Sequence, residues 1–226
     1  MGYSWDFTPV LRAMDLLLLG LGNTLMLTAL AFLLGLPVGI ALALARLSRH
    51  RVIAWPVGLM VDFLRCTPAL VQLFWLFFAL PRLLPVRLSP FGAALMALTV
   101  LSAAFVSEVF RGGIVSVERT QWEGARAIGM TSRQAMRRVI LPQAVKRMIP
   151  VFLERLVELL KMSTIASTIS YPDLLFRAQD IAQATYRPLE VFTVTALLYL
   201  VVIAATSEAT RRVERHLARS GEGTVH

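Results

Sequence analysis

The run Leu16–Ala45 contains no charged residue. At about 1.5 Å per residue, a helix of that length outspans a bilayer core about 30 Å thick. A helix that is apolar on every side must be buried all round or sit in lipid. A chain of 226 residues, 57% of them hydrophobic and only 16% charged, cannot hide so much apolar side chain in a soluble core. Four further stretches fit the same reading. Val52–Leu80 carries Asp62 and Arg65, and Leu88–Ser107 stops at Glu108. Ile149–Tyr171 is interrupted by Glu154, Arg155, Glu158 and Lys161, while Val191–Ser207 is uncharged. Long uninterrupted runs without alternation favour helices over a β-barrel. The expectation is an all-α membrane protein, one domain over residues 1–226, with about five spans near 16–45, 52–80, 88–107, 149–171 and 191–207.

Arginine and lysine orient such a chain, because cytoplasmic loops collect them. Fifteen of the 23 lie in 46–51, 111–147 and 211–219, against Arg12, Arg82, Arg87, Arg177 and Arg187 on the other side. That places the N-terminus outside and the C-terminus in the cytoplasm, a parity that needs an odd number of spans. It also accounts for the net charge of +9 without a nucleic-acid partner. Cys66 is the single cysteine, and His50, His216 and His226 lie far apart, so neither an internal disulfide nor a metal site is expected. The opening MGYSWDFTPVLRAMD lacks the basic n-region of a signal peptide, and Asp6 stands where myristoylation requires Ser or Thr. The tail ARSGEGTVH is expected to be disordered.

Between the third and fourth runs lies WEGARAIGMTSRQAMRRVILPQ, residues 122–143. Trp122–Ile128 fits a short helix, and Gly129 permits the positive-φ turn that would end it. Thr131 or Ser132 can cap a second helix. On that helix Met136, Val139 and Ile140 share one face, while Arg133, Gln134, Arg137 and Arg138 take the other. Pro142 is expected to mark a change of direction. Three readings stand for this element: a helix lying in anionic headgroups, a helix packed on its own spans, or a docking surface. The small residues Gly124, Ala125, Ala127 and Gly129 suit close docking of another protein.

The run EGARAIG at 123–129, followed by VILP at 139–142, resembles the EAA loop of binding-protein-dependent ABC importer permeases. Further blocks resemble the subfamily serving histidine, glutamine, glutamate, arginine and opines. They are GLGNTL at 20–25, RCTPALVQ at 65–72, SAAFVSE at 102–108 with RGGI at 111–114, LPQA at 141–144, KMSTI at 161–165 and RPLEV at 187–191. Departures are Gly124 for Ala, Cys66 for Gly, and Met162 with Ser163 for Asp-Thr. The likeness spans nearly the whole chain.

The resemblance implies the type I ABC importer permease fold and a transport subunit of the bacterial inner membrane, not an enzyme. The coupling loop, about 118–142, would seat in a separate ATPase subunit through Glu123, Gly124, Ala125, Ile128, Gly129 and Met136. Expected partners are ABC ATPase subunits, a periplasmic or surface solute-binding protein, a second permease subunit (identical or paralogous) and the lipid bilayer. No cofactor is expected on this chain; ATP and Mg belong to the partner. The absence of GxxxxGK[ST] agrees, and neither GxSxG nor HExxH suggests a catalytic residue.

Ionisable residues within spans invite a pathway role, since each is costly in lipid. Glu154, Glu158 and Lys161 share one helical face. They either line the solute's route or form structural pairs such as Glu158–Lys161 or Arg155–Glu158. Arg65 and Thr67 precede Pro68, where unwinding would offer backbone groups to a polar solute; interface anchoring by Arg65 is the alternative. The rival functions are an integral membrane enzyme and an ion-coupled carrier with a merely structural loop.

Overall fold

A computed structural model describes residues 3–219, with side chains described as far as Arg212. Of the tail expected to be disordered, residues 218–226, Ala218 and Arg219 end the last helix and the rest lies outside the described residues, as do the side chains of Arg215, His216 and Arg219. Helices α1 (Thr8–Arg12), α2 (Met14–Arg46), α3 (Arg51–Cys66) and α4 (Ala69–Phe74) come first. A π-type turn, Trp75–Ala79, joins α4 to α5 (Leu80–Leu83), and α6 (Pro90–Val115) follows. Then come α7 (Arg119–Ala127), α8 (Ser132–Ala135), a second π-type turn (Met136–Ile140) and α9 (Leu141–Met162). A 3₁₀ stretch, Ser163–Ile169, leads to α10 (Leu174–Thr185) and α11 (Pro188–Arg219).

Among the described residues, three stretches are long and apolar enough to cross a membrane: Met14–Arg46, Pro90–Val115 and Pro188–Arg212. Arg51–Cys66 and Ala69–Leu83 qualify only as an interrupted pair. The run expected as one span over 52–80 is therefore broken. Pro68 has φ −57° and ψ 132°, because proline drives its surroundings out of the helical region and lacks an N–H. The helix expected to end at Ser107 continues through Glu108 to Val115. The run expected over 149–171 is helical from Leu141 to Met162, after which the chain tightens and Ser170 turns left-handed at φ 61°.

Pro142 does not break the helical run. Leu141 keeps α-helical dihedrals, and the π-type turn just before it runs directly into α9. A proline removes one i→i−4 bond and crowds the carbonyl four residues back; widening the preceding turn relieves both. Pro81 follows Trp75–Ala79 in the same way. The sequence reading missed this device, which the two prolines share.

The chain divides into two compact units. The first comprises Met1–Leu33, Thr67–Val100 and Leu156–Thr206. One of its cores gathers Leu27, Leu73, Leu98, Leu159 and Ile169; another gathers Val10, Leu17, Leu174 and Val191. The turn before α10 is fastened to α2. Asn23 Nδ2 donates to the Pro172 carbonyl at 2.8 Å, and the Leu174 N–H donates to Thr24 Oγ1 at 3.1 Å. Gly20 makes room for this turn: a Cβ there would lie 2.8 Å from the Asp173 carbonyl oxygen. Fully buried Asp173 caps α10 by accepting from the Phe176 N–H, and burial pushes its carboxyl up to about 7. The N-terminal segment is fastened as well: buried Glu190 accepts from the Tyr3 hydroxyl and the Asp6 N–H.

The second unit comprises Leu34–Cys66, Leu101–Arg155 and Ser207–His226. Here α2 meets α6 at Gly39, where a Cβ would fall 2.6 Å from the Ala103 carbonyl oxygen. Its core is Ile114, Val117, Ile140, Ala144 and Met148, with Trp122, Met136 and Val139 packed against it. This core holds the loop between α6 and α9.

Candidate functional site

The loop is built as the residue pattern suggests. α7 ends at Ala127, and Gly129 takes φ 77°, a value a Cβ would disfavour. Thr131 caps α8 and pairs reciprocally with Gln134, a capping box that satisfies two free backbone donors. Beyond it the apolar face turns inward. Ile140 is fully buried, and Met136 and Val139 pack on Ile114, Val117 and Met148. The headgroup reading needs that face in lipid; the chain's own helices occupy it instead. Arg133, Arg137 and Arg138 remain exposed and, with Thr131 and Gln134, line a cleft of about 550 Å³.

The six coupling candidates sort by face. Glu123 is largely exposed, and its carboxylate meets Arg119 at 3.5 Å across one helical turn. Nothing lies within 4 Å of a Cβ built on Gly124 or Gly129, so both open outward. Ile128 is 73% exposed, a large apolar side chain with little cover from the described residues. Ala125 and Met136 point the other way: Ala125 is buried, and Met136 is half-buried in the unit's core. These two position the loop from behind.

The pathway candidates do not form one constellation. Glu154, Glu158 and Lys161 are all exposed along α9, and Lys161 has no ion-pair partner among the described residues. The Arg155 guanidinium lies 4.9 Å from the centre of the Phe105 ring. Thr67 sits in the break, where its carbonyl accepts from Gln72 Nε2 at 3.1 Å. That bond already uses one of the backbone groups the unwinding frees.

Arg65 is drawn into a cluster that the sequence reading did not assemble. Glu108 Oε2 lies 2.9 Å from Arg46 Nη1 and 3.3 Å from Arg65 Nη1, and Glu108 Oε1 accepts from Arg111. Asp62 adds contacts of 3.3 Å to Arg46 and 3.7 Å to Arg65. The only sequence signal was local: the i,i+3 spacings of Glu108 with Arg111 and of Asp62 with Arg65.

Long apolar helices, one pair of them broken at a proline, define a multi-pass helical membrane protein. The chain belongs to the family of binding-protein-dependent transport system inner membrane components, which matches residues 35–219. It is 34% identical over 212 residues to the arginine transport system permease protein ArtQ of Bacillus subtilis, covering 94% of this chain and 97% of that one. It is 35% identical over 221 residues to the L-cystine transport system permease protein TcyB of the same organism, with 95% and 92% covered. Among solved structures, that of an amino acid ABC transporter with histidines superposes with a TM-score of 0.92 at 34% identity, covering 95% of this chain and all of that one. The chain is thus a transmembrane permease subunit of an importer, multi-pass in the inner membrane. The membrane-enzyme and carrier readings are not favoured.

Proposed function

We propose that this permease passes a polar amino acid, or a solute of that kind, across the inner membrane, driven by ATP that a separate subunit hydrolyses. One observation carries the reading: the 119–140 loop spends its apolar face on its own core and leaves its polar face open. A loop that only needed to pack would have no use for the uncovered Ile128 and the three uncovered arginines. The ATPase subunit supplies the matching groove and the ATP and Mg chemistry. Glu123, Gly124, Ile128 and Gly129 meet it directly; Ala125 and Met136 set the loop's height. The arginine-rich loops face the cytoplasm, a periplasmic or surface binding protein delivers the solute on the far side, and a second permease completes the path. The relatives named for arginine and cystine support an amino-acid solute.

Glu154, Glu158 and Lys161 are the pathway residues to which we assign the solute's amino and carboxylate groups. Uptake of labelled amino acids into proteoliposomes holding the permease, its ATPase and the binding protein tests the assignment. Gly129→Trp places a bulky side chain where φ is positive and the surface is open. It should insert normally, lose most ATPase copurification and abolish uptake. Wild-type copurification and uptake in that variant would refute the docking role.

A further inference from the structure

The face of α6 that carries Phe105 and Glu108 receives arginines from four helices. Arg46 arrives from the last turn of α2, Arg65 from the last turn of α3 and Arg111 from α6 itself, all onto the Glu108 carboxylate. The ring of Phe105, one turn earlier, takes the Arg155 guanidinium of α9 at 4.9 Å and that of Arg65 at 5.9 Å. One carboxylate and one ring thus join α2, α3, α6 and α9.

Three features separate this cluster from ordinary surface pairs. Arg46 is held twice, by Glu108 and Asp62, and its side chain is only 12% exposed. Glu108 is 25% exposed, so water still reaches it. A partly wet pair adds little to stability, yet it fixes which groups face one another. Its place in the sequence also matters. From Glu108, α6 continues for about 9 Å at 1.5 Å per residue to Ile114, where the loop's apolar face packs. On the other side, Arg65 is the residue before Cys66, the end of α3 at the Thr67–Pro68 break. The cluster therefore stands between the loop and the one interruption in the second apolar run.

We propose that Glu108 is the positioning residue through which movement of the 119–140 loop is passed to the end of α3, the carboxylate holding Arg46, Arg65 and Arg111 in one register. This rests on the proposed function, since the loop is taken as the ATPase-facing element. When the loop moves, α6 moves with it through Ile114 and Val117, and Glu108 draws Arg65 and Arg46 along. Without the carboxylate three guanidiniums face one another with Asp62 alone to separate them, and α3 no longer follows α6.

The test pairs two variants with two measurements. Glu108→Gln removes the charge and keeps the shape; Arg46→Gln with Glu108→Gln also removes the best-buried guanidinium left behind. In proteoliposomes with ATPase and binding protein, both should retain basal ATP hydrolysis while solute imported per ATP falls about tenfold. The double variant should melt like wild type. If its coupling recovers together with its stability, or if Glu108→Gln imports at the wild-type ratio, the proposal fails. The second measurement needs no ATPase. Spin labels at Arg49 and Val115, with Cys66→Ser, report the separation of the α2–α3 connection from the end of α6 in the isolated chain. The distribution should be narrow in wild type and broad in Glu108→Gln; a narrow distribution in both overturns the positioning role. A wild-type chain that binds no ATPase would instead refute the proposed function, and the spin-label result would still decide the part played by Glu108.

Discussion

The 163–174 turn and the 128–140 loop are written in the same local grammar. Each follows a helix, reverses through a residue at positive φ (Ser170 at 61°, Gly129 at 77°) and starts the next helix from a side-chain cap. Asp173 accepts from the Phe176 N–H, and Thr131 from the Gln134 N–H. Their surroundings differ. Ser163 and Asp173 are fully buried, and Asn23 and Thr24 of α2 close over the first turn. The second buries its apolar side chains and leaves Arg133, Arg137 and Arg138 exposed. Local backbone chemistry specifies a turn, then, but not whether the chain itself completes the turn's environment. Where it does not, the open face is the part of the molecule available to a partner.

The largest expected effect contrasts one glycine from each region. Gly20 faces backbone: its missing Cβ would meet the Asp173 carbonyl at 2.8 Å and Leu174 Cα at 2.9 Å, neither of which can rotate away. Gly20→Val should cost about 3 kcal/mol or prevent folding, by overpacking against the main chain. Gly124 has open space around it inside α7, so Gly124→Ala should stabilise the isolated chain by up to about 1 kcal/mol through helix propensity. Melting curves in detergent measure both. If Gly20→Val melts with wild type, the 163–174 turn is not the closed structure described, and the contrast collapses.

The next effect is a dependence on pH that only the closed turn should show. Burial raises the Asp173 carboxyl from 3.8 to about 7. Between those values the folded chain holds a proton that the unfolded chain has released. Stability contributed by the neutral acid is thus complete below about pH 4 and is lost as the pH rises through about 7. Asp173→Asn keeps a capping oxygen and removes the ionisation, so its stability should vary less across that window and exceed wild type above it. Thermal melts from pH 4.5 to 8 decide the matter. Parallel curves for the two proteins would mean that Asp173 sits in water.

Most of this architecture was legible in the residues, and the exceptions share a cause. The charge-free runs located α2, α6 and α11, because a lipid-facing helix must be apolar whatever it packs against. The helices of the loop, the Gly129 turn and the apolar stripe Met136–Val139–Ile140 were legible because capping and periodicity are local. The cluster around Glu108 was not. Arg46 and Glu108 lie 62 positions apart, and nothing in either neighbourhood names the other. Glu108 looked like the end of a span because an acid beside an apolar run usually marks water; three arginines let α6 continue past it. The sorting of the six coupling candidates also required structure. Spacing alone could not show that Ala125 and Met136 face inward while Glu123 and Ile128 face out.

The smallest effect is the most discriminating, because one kind of substitution is made in both regions. Thr131→Ala and Asp173→Ala each remove a helix cap worth about 1 kcal/mol. At Asp173 the helix it caps is part of a buried core, since Leu174 and Ala178 belong to it. Uncapping there also frees buried donors, so the melting temperature of the whole chain should fall. At Thr131 the cap serves the first turn, Ser132–Ala135, of a helical run that continues into α9, and residues 131–134 of it are exposed. Its loss should leave the global melt unchanged and show only as faster hydrogen exchange at the Gln134 and Ala135 amides, because exposed segments open on their own. The same fraying should weaken ATPase binding, as the partner would have to re-order the helix before docking. If Thr131→Ala lowers the global melt as much as Asp173→Ala does, the loop is part of the folding core, and its open face needs another explanation than a waiting partner.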